Sequence, residues 1–592
     1  MLDRRITPMK YQTISPRLLL AFEDYKHGGR SALKRHMNTI GLVAPEGTPK
    51  PARAMIFLRC DERTSFRNLA KVGVRLNQAR GKLRTGIVAL DSLGTLSEHR
   101  GVKRITVARK LRPLMDIAPG KVSVPAFRTT SGLTGNGVIV GIVDSGIDPN
   151  HPAFAGRILS IWDQTLPGPG VPEGPYGLEF SGANLTGSRD QVGHGTHVAG
   201  IAAGNQSIYG GIAPGANYVI VKTDFVDTHI ADGIEYIFAK ASSLGQAAVV
   251  NLSLGGHSDP HDGTDGLSQK IDERTGPGRI VCCAAGNEGL DNIHAQVTLQ
   301  KDEEKTIRFI VPEPTNGDSI KQARLNGWYA GGDQVDVAVQ GPSGITTPFQ
   351  KIIANENPVM TYTIPDGKVQ VMTPGPNPTN GDHNFQVVIE PRENFSLVTT
   401  GVWRLTLKAR SITNGTVDIW TVDDGKRLDV VFTGTSVSSS MKVGSPGAAK
   451  SAVTVASYTT RIIWNDLGGQ PHQTIDPQAN DTLSDFSSNG PLRNGAHKPD
   501  VTAPGSWIAS CLSADSPVDP LFEVAPGIRV MQGTSMATPI VTGIVALLLE
   551  RKKTLDPGEV KTLLRNNSTI PGAQAGTFDP NWGFGLINLA SL

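Results

Sequence analysis

Cysteine is scarce in this sequence, with four residues in 592. Cys60, Cys282, Cys283 and Cys511 show neither the spacing of a metal site nor that of a disulfide framework. This scarcity argues against a fold that depends on disulfides or structural zinc, and it favours a reducing compartment. Cys282 and Cys283 lie together in an apolar run, where buried packing is favoured over redox sensing.

Long apolar runs are missing as well. The longest, residues 540–549, is interrupted by Thr542 and Gly543 and falls short of the ~20 residues that cross a bilayer. Near the N-terminus the apolar run at residues 18–22 is too short for a signal peptide. We therefore expect a cytoplasmic protein without a membrane partner, with export by another route left open.

The whole sequence also has little excess of either charge, since its formal net charge is +3. Residues 1–120 nevertheless hold 24 Lys and Arg against 9 Asp and Glu, and the remainder holds 33 against 45. The basic residues are dispersed through apolar, periodic sequence and form no stripe, so a nucleic-acid partner is not indicated. Docking of the basic segment onto the acidic remainder explains the division better.

Three motifs carry chemistry. Ser535 stands in GTSMATP, between a tight turn and an apolar helix, where backbone N–H groups and the helix dipole would surround its hydroxyl. Taken alone, this serine fits an N-cap equally well. GHGTHVAG supplies a base in His194, and the apolar strand VIVGIVD ends in the carboxylate of Asp144. A base and a carboxylate that orients it are what a serine nucleophile needs.

These motifs, together with AAGN at residues 284–287, resemble those of the subtilisin-like serine peptidases, or subtilases. The resemblance implies that His194 takes the proton of Ser535 and that Asp144 orients and stabilises the imidazole. It also implies that the Asn287 amide and the Ser535 backbone N–H bind the oxyanion. A lipase or esterase would use the same triad logic, but GxSxG is missing and the chain order differs.

Substrate contacts follow from the same resemblance. The segment 253–256 resembles the strand that pairs with the peptide backbone, which predicts sequence-tolerant recognition. The segment 442–447 resembles a wall of the primary specificity pocket, where glycines leave room for a large apolar side chain. The predicted substrate-binding residues are Ser253, Leu254, Gly255, Gly256, Ala285, Gly286 and Gly444.

No metal or cofactor is expected. Many subtilases carry a carboxylate where this chain has Ala153, and residues 204–210 hold no acidic cluster, so no calcium is predicted there. His197 follows His194 by three residues, but without the HExxH glutamate or a third ligand it is assigned a structural role. Structural roles are also assigned to Asp148, Asp500, Thr534 and Pro539.

Near-continuous apolar strands alternate with helices from residue 131 onward, which is typical of a parallel sheet between two helix layers. Asp144 and Asn287 both follow such strands, at the edge where function gathers in these sheets. The expected fold class is α/β: a three-layer subtilisin-like domain with a mainly parallel sheet, formed by residues 121–290 and 441–592.

The N-terminal residues follow another pattern. Residues 1–50 form a basic extension with expected helices at 16–25 and 30–37 and no assigned chemistry. Residues 51–120 follow a β-α-β-β-α-β order, which predicts a ferredoxin-like α+β domain. This domain looks like the inhibitory propeptide of subtilases, and an accessory domain of the same fold is the alternative. Its tail, residues 111–125, would thread the active-site cleft and contain any cleavage point.

Helical periodicity vanishes between residues 291 and 440, where short alternating runs are separated by Gly, Pro and Asn-Gly turns. This pattern predicts an inserted β-sandwich of jelly-roll type, called the insert below. The insert and the long connection between Asp144 and His194 resemble the subtilase branch that includes the germination proteases of clostridial spores. Trp403 and Trp420 are expected in the core of the insert rather than as exposed ligand platforms.

The predicted function is that of a serine endopeptidase acting on polypeptides, made as a precursor that its own N-terminal domain inhibits. The alternative is a propeptide-masked regulator or scaffold of the same fold that acts through the insert. Intact Asp144, His194, Asn287 and Ser535 argue against an inactive relative. They do not decide between an active site and a permanently masked one.

Overall fold

The structure, a computed structural model, describes residues 9–37, 40–43, 51–108, 112–113, 120–206, 208–315, 319–393, 395–422, 429–474 and 478–591. The chain divides into two compact units. The first unit comprises Met1–Lys110, His257–Pro260 and Asp291–Ser439, and the second comprises Leu111–Gly256, His261–Leu290 and Ser440–Leu592. Within the described ranges, every helix is too short or too polar to cross a bilayer.

The second unit is built on an 11-stranded sheet. Its central strands are apolar on both faces, and all seven residues of Val138–Asp144 are buried. Strands of this kind pair in parallel, as the sequence predicts, while the outermost pairs are antiparallel. The order is Ser568–Thr569, Leu586–Ile587, Val501–Ser506, Val453–Thr459, Arg279–Ala284, Ala247–Leu252, Val138–Asp144, Asn217–Lys222, Ile158–Asp163 and Leu178–Ser181, with Thr482–Leu483 on Val453–Thr459.

Helices cover this sheet. The most buried, Thr534–Arg551, has no exposed residue up to Leu549, because its sequence is apolar around its full circumference. Gly533 precedes it at φ 141°, a conformation that side chains rarely allow, and so forms the turn into the helix. The others are Val124–Ser131, His194–Ala203, Asp227–Ser243, Gly266–Arg274 and Pro557–Asn566.

Two smaller sheets and one short strand pair complete the second unit. The strand pair is Arg112–Pro113 with Leu254–Gly255. Of the predicted tail at residues 111–125, the structure describes this pair and residues 120–125. The smaller sheets are Ile463–Asn465 with Pro471–Gln473, and Ile508–Cys511 with Ile528–Met531 and Glu523–Ala525.

The N-terminal part of the first unit holds a five-stranded antiparallel sheet and the helices Pro16–Gly28 and Leu93–Glu98. The first helix of the expected β-α-β-β-α-β order and the helix expected at 30–37 are instead short 3₁₀ helices, Arg67–Val72 and Ser31–Arg35. Gly73, at φ 86°, ends the former after six residues, too few for a stable α-helix. The strands are Leu42–Val43, Arg53–Cys60, Val74–Leu76, Leu83–Ala89 and Val102–Val107.

The insert forms two antiparallel sheets around one apolar core. Trp403 and Trp420 are fully buried, as expected for core residues. The six-stranded sheet runs His294–Thr298, Thr416–Thr421, Ala323–Tyr329, His383–Glu390, Gly367–Met372 and Val359–Ile364. The four-stranded sheet runs Gln334–Gln340, Gly401–Ser411, Glu304–Val311 and Val431–Thr433.

Candidate active site

Asp144 and His194 meet at the carboxyl edge of the large sheet. Asp144 ends its strand, and His194 begins the helix His194–Ala203. The Oδ1 atom of Asp144 lies 2.7 Å from Nδ1 of His194 and also accepts the backbone N–H of Ser145 at 2.7 Å. Both side chains are buried, and within the described part of the chain Nε2 of His194 has no hydrogen-bond partner. This nitrogen is therefore available to a neighbouring hydroxyl.

A second buried carboxylate, Asp190, holds the start of the histidine helix, and sequence reasoning missed it. Its Oδ1 accepts from Gly193 N at 2.8 Å and from the Ser145 hydroxyl at 2.9 Å. Its Oδ2 accepts both the backbone N–H and the hydroxyl of Thr196, at 2.9 Å and 2.7 Å. An acidic residue just before a helix start is the available signal, because such residues bind free N–H groups.

Ser145 connects this carboxylate to the Asp144–His194 pair. Its hydroxyl donates to Asp190 and accepts the Gly195 N–H at 2.9 Å, while its backbone N–H donates to Asp144. The backbone on both sides of the histidine–aspartate contact is thus fixed by buried hydrogen bonds. Such support restricts the imidazole to one position.

Ser535 lies in the first turn of Thr534–Arg551 and is fully buried. Its hydroxyl is 3.3 Å from the backbone oxygen of Ser253, and its own backbone oxygen accepts the Ser253 hydroxyl at 2.7 Å. Pro539 explains the second contact, since proline has no N–H to give to the oxygen four residues earlier. The hydroxyl does not bond to His194 in this arrangement, and such catalytic hydrogen bonds often tighten only when substrate binds.

Asn287 lies three residues beyond the strand Arg279–Ala284. Its side-chain oxygen accepts the Thr534 backbone N–H at 2.8 Å and the Thr534 hydroxyl at 3.1 Å. Because the oxygen is engaged by the residue before the serine, the hydrogen-bond network directs the amide N–H₂ group away from Thr534. The structural role that the sequence predicts for Thr534 therefore includes orienting Asn287.

The predicted substrate-binding residues come together in two places. Leu254 and Gly255 pair with Pro113 and Arg112 of the tail, and Gly256 N donates to Ser445 O at 3.1 Å. Ala285 belongs to a buried apolar cluster with Val443, Ala448 and Leu492. Gly286 N lies 3.2 Å from the Thr534 hydroxyl, and Gly444 O accepts the Ala448 N–H at 2.9 Å. Two residues of this cluster, Ala285 and Val443, directly precede Gly286 and Gly444 in the sequence.

The remaining polar residues make structural contacts. Nε2 of His197 lies 3.1 Å from Arg529 O, and burial, followed by the charge of Arg529, holds the pKa of His197 well below its usual range. Asp148 accepts the backbone N–H groups of Asn150 and Ala514 at 3.0 Å. Asp500 pairs with Lys498 at 2.8 Å. In the ranges that the structure describes, no group of three or more His, Cys, Asp or Glu is arranged to hold a metal.

Arg157 supplies a positive charge near Ala153. Its guanidinium donates to three backbone oxygens, those of Ala153, Ala203 and Ala216, the last two at 2.7 Å and 2.9 Å. Ala203 ends the histidine helix, so the charge also lies at the negative end of the helix dipole. The absence of calcium at this place stays a prediction.

The four cysteines are free and buried. Burial raises the pKa of the Cys282 and Cys511 thiols to about 12. Thiols that stay protonated are poor nucleophiles, so these two pack as small apolar residues.

Comparison with known proteins gives a consistent picture. Residues 135–320 and 401–585 match the model of the subtilase family, peptidase group S8. The chain is 24% identical to the serine protease AprX of Bacillus subtilis over 518 residues, covering 84% of this chain and 76% of AprX. It is 26% identical to the PI-type proteinase of Lactococcus lactis, of which it spans 25%.

A solved structure from another bacterium has a similar fold. The Clostridium perfringens CspB protease shares 26% sequence identity with this chain at a TM-score of 0.64. The match covers 79% of this chain and 96% of CspB.

Proposed function

Because this chain belongs to the subtilase family of serine peptidases, we propose that it is an endopeptidase with Ser535 as nucleophile and His194 as base. Asp144 orients the imidazole. The observation that carries the proposal is the 2.7 Å contact between Asp144 and Nδ1 of His194, which leaves Nε2 of the same buried ring unbonded. That geometry favours the tautomer with its proton on Nδ1, so Nε2 is the nitrogen that can accept the serine proton.

Catalysis follows from these positions. When a substrate carbonyl enters, the Ser535 hydroxyl turns from Ser253 to His194 and loses its proton as it attacks. Asp144 stabilises the imidazolium that forms. The Asn287 amide and the Ser535 backbone N–H receive the charge that develops on the carbonyl oxygen. His194 then gives its proton to the leaving amine, and water releases the acyl group by the reverse of these steps.

We further propose that the enzyme is made as a self-inhibited precursor. The pairing of Arg112–Pro113 with Leu254–Gly255 supports this, because the tail then occupies the strand that a substrate would use. The five-stranded antiparallel sheet within residues 42–107 supports the assignment of residues 51–120 to a ferredoxin-like, propeptide-type domain. The two sheets of the insert support a β-sandwich at 291–440, and the similarity to CspB supports the branch assignment.

The test compares wild type with Ser535→Ala. We expect wild type alone to cut itself within residues 111–125 and to hydrolyse an unfolded protein. Loss of the nucleophile lowers the rate by about 10⁶-fold, the size measured in subtilisin itself. Ser243→Ala is the matched control, since this serine lies at the surface end of Asp227–Ser243 in the same unit. If wild type stays full-length and inert, the masked-regulator alternative replaces the endopeptidase proposal.

A further inference from the structure

Asn251 is a polar side chain in the apolar centre of the large sheet. It lies in the strand Ala247–Leu252, whose six residues are all buried, and it pairs with Ile142 and Cys282 of the two neighbouring strands. Asn251 itself is fully buried. A buried amide costs free energy unless its donor and acceptor atoms are both bonded, so the partners of its two ends indicate what it holds in place.

One end of this amide reaches the proposed nucleophile through a single hydroxyl. The Nδ2 atom of Asn251 lies 2.9 Å from the Ser253 hydroxyl, which lies 2.7 Å from the backbone oxygen of Ser535. A carbonyl oxygen only accepts hydrogen bonds, so the Ser253 hydroxyl donates its proton to Ser535. Because that proton is then engaged, the hydroxyl accepts from the NH₂ group of Asn251, and this fixes the orientation of the amide.

The other end of the amide returns to the helix that carries the serine. The Oδ1 atom of Asn251 accepts from the Thr542 hydroxyl at 2.9 Å, and Thr542 lies in Thr534–Arg551, about two turns beyond Ser535. One side chain of the strand therefore holds this helix at two points. All four residues of the chain, Thr542, Asn251, Ser253 and Ser535, are fully buried and belong to the second unit.

Pro539 explains why the Ser535 carbonyl takes a donor from outside its own helix. In a regular helix, the N–H of residue 539 would donate to the oxygen of residue 535, and proline has no N–H. The Ser253 hydroxyl supplies the missing donor. Holding this oxygen holds the backbone of Ser535, from which the reactive hydroxyl and the N–H of the proposed oxyanion site both extend.

We propose that Ser253 and Asn251 are positioning residues for the nucleophile, and that Thr542 anchors the amide of Asn251. Ser253 then acts on Ser535 through its side chain, besides the backbone contact with substrate that the sequence predicts for its segment. This inference rests on the proposed function, because the placement of Ser535 affects the rate only if Ser535 is the nucleophile. Small misplacements of a catalytic group cost up to about 10²-fold in rate, so loss of the Ser253 hydroxyl is expected to slow the reaction.

The first test removes one polar group at a time. Ser253→Ala should lower kcat on an unfolded protein by about 10-fold to 10²-fold and leave KM within about twofold of wild type. Asn251→Leu should lower kcat less, by about threefold to tenfold, because the Ser253 hydroxyl still reaches Ser535 but loses the bond that directs it. Ser568→Ala is the matched control, since buried Ser568 also donates to a helix carbonyl, that of Leu564, at 2.7 Å. It should lower the melting temperature and leave kcat unchanged.

Inactivation by phenylmethylsulfonyl fluoride separates the placement of the nucleophile from substrate binding, because this reagent has no peptide backbone. We expect its rate of reaction with Ser535 to fall in parallel with kcat in Ser253→Ala and Asn251→Leu, and to stay at the wild-type value in Ser568→Ala. If Ser253→Ala does not fold, Asn251→Leu decides the question by the same two rates. Wild-type values of both rates in the folded variants, or a raised KM alone, would overturn the inference and leave the endopeptidase proposal intact. A wild-type protein that neither hydrolyses an unfolded protein nor reacts with the reagent would overturn both.

Discussion

His194 in the second unit and His36 in the first unit each contact a buried aspartate, at 2.7 Å and 2.6 Å. A third pair, His294 with Asp418, lies in the insert at 3.0 Å. The pairs differ in the nitrogen that meets the carboxylate. His194 uses Nδ1, whereas His36 and His294 use Nε2. Pairing through Nδ1 leaves Nε2, at the far end of the ring, pointing away from the aspartate, and in His194 this nitrogen is available to the proposed nucleophile.

The neighbours of each carboxylate differ as well. Asp24, the partner of His36, also lies 3.7 Å from Lys368 and accepts a 3.5 Å hydrogen bond from Gln370. It therefore links the helix Pro16–Gly28 to the six-stranded sheet of the insert. Asp144 instead accepts one backbone N–H from Ser145 besides His194. These contacts give Asp24 a structural role, whereas the contacts of Asp144 fit its proposed role of orienting the ring of His194.

The largest expected effect is the loss of activity on changing Asp144, compared with the same change at Asp24. Asp144→Asn keeps the size of the side chain but removes the charge that stabilises the imidazolium. We expect kcat to fall by about 10⁴-fold, the effect of the same change in another serine protease. Asp24→Asn should leave kcat at the wild-type value and lower the midpoint of urea unfolding, because it weakens buried contacts to His36 and Lys368.

Steady-state kinetics on an unfolded protein substrate and urea titrations on the inactive Ser535→Ala background measure the two quantities separately. If Asp24→Asn lowered kcat as strongly as Asp144→Asn, the distinction between the pairs would be wrong.

A smaller effect is expected from aspartates that bind several backbone groups. Asp190 in the second unit and Asp333 in the insert each accept at least three hydrogen bonds from a turn. Asp190→Asn replaces one acceptor oxygen by a donor that faces Thr196 or Gly193, so the histidine helix shifts. Because small misplacements of catalytic groups cost up to about 10²-fold in rate, kcat should fall by that order with KM unchanged.

Asp333→Asn is the matched control, since the Asp333 carboxylate likewise accepts hydrogen bonds from Thr413, Asn414 and Gly415. It should lower the melting temperature without changing kcat. An Asp190→Asn protein with normal kcat and a lowered melting temperature would assign Asp190 to stability alone.

The sequence predicted the parts of the site that lie in contiguous motifs. Asp144 ends an apolar strand and His194 begins a helix after a glycine, so both positions are predictable from local sequence patterns. The support from Asp190 and Ser145 could not, because it depends on contacts between segments 45 to 50 residues apart. The same holds for the Asn287–Thr534 contact, which spans 247 residues.

Some elements of the fold were likewise predictable from the sequence and others were not. Apolar strands and the buried helix Thr534–Arg551 were predictable because their hydrophobic patterns are long and regular. The 3₁₀ helix Arg67–Val72 was not, since a six-residue segment carries too little periodicity to separate it from an α-helix. The compact unit that joins the N-terminal residues to the insert involves residues hundreds of positions apart, and no local pattern encodes it.

The smallest expected effect is a dependence of stability on pH that can be assigned to one histidine in the first unit. Burial, opposed by the nearby Asp24, lowers the pKa of His36 in the folded protein. The unfolded chain therefore binds the proton more readily than the folded protein does. The stability that neutral His36 contributes to the folded protein is complete above about pH 6.5. It is lost as the pH falls below that value, by at most about 1.4 kcal/mol per pH unit. The pKa values of His197 in the second unit and His383 in the insert are lowered as well, so both residues also lose their stabilising effect as the pH falls.

In the Ser535→Ala protein, the drop in melting temperature between about pH 7.5 and about pH 5 should be smaller after His36→Gln, because glutamine keeps a donor for Asp24 but does not titrate. An unchanged drop would mean that His36 is not among the groups that take up a proton on acid unfolding, and the distinction between the two pairs would then rest on Asp144 and Asp24 alone.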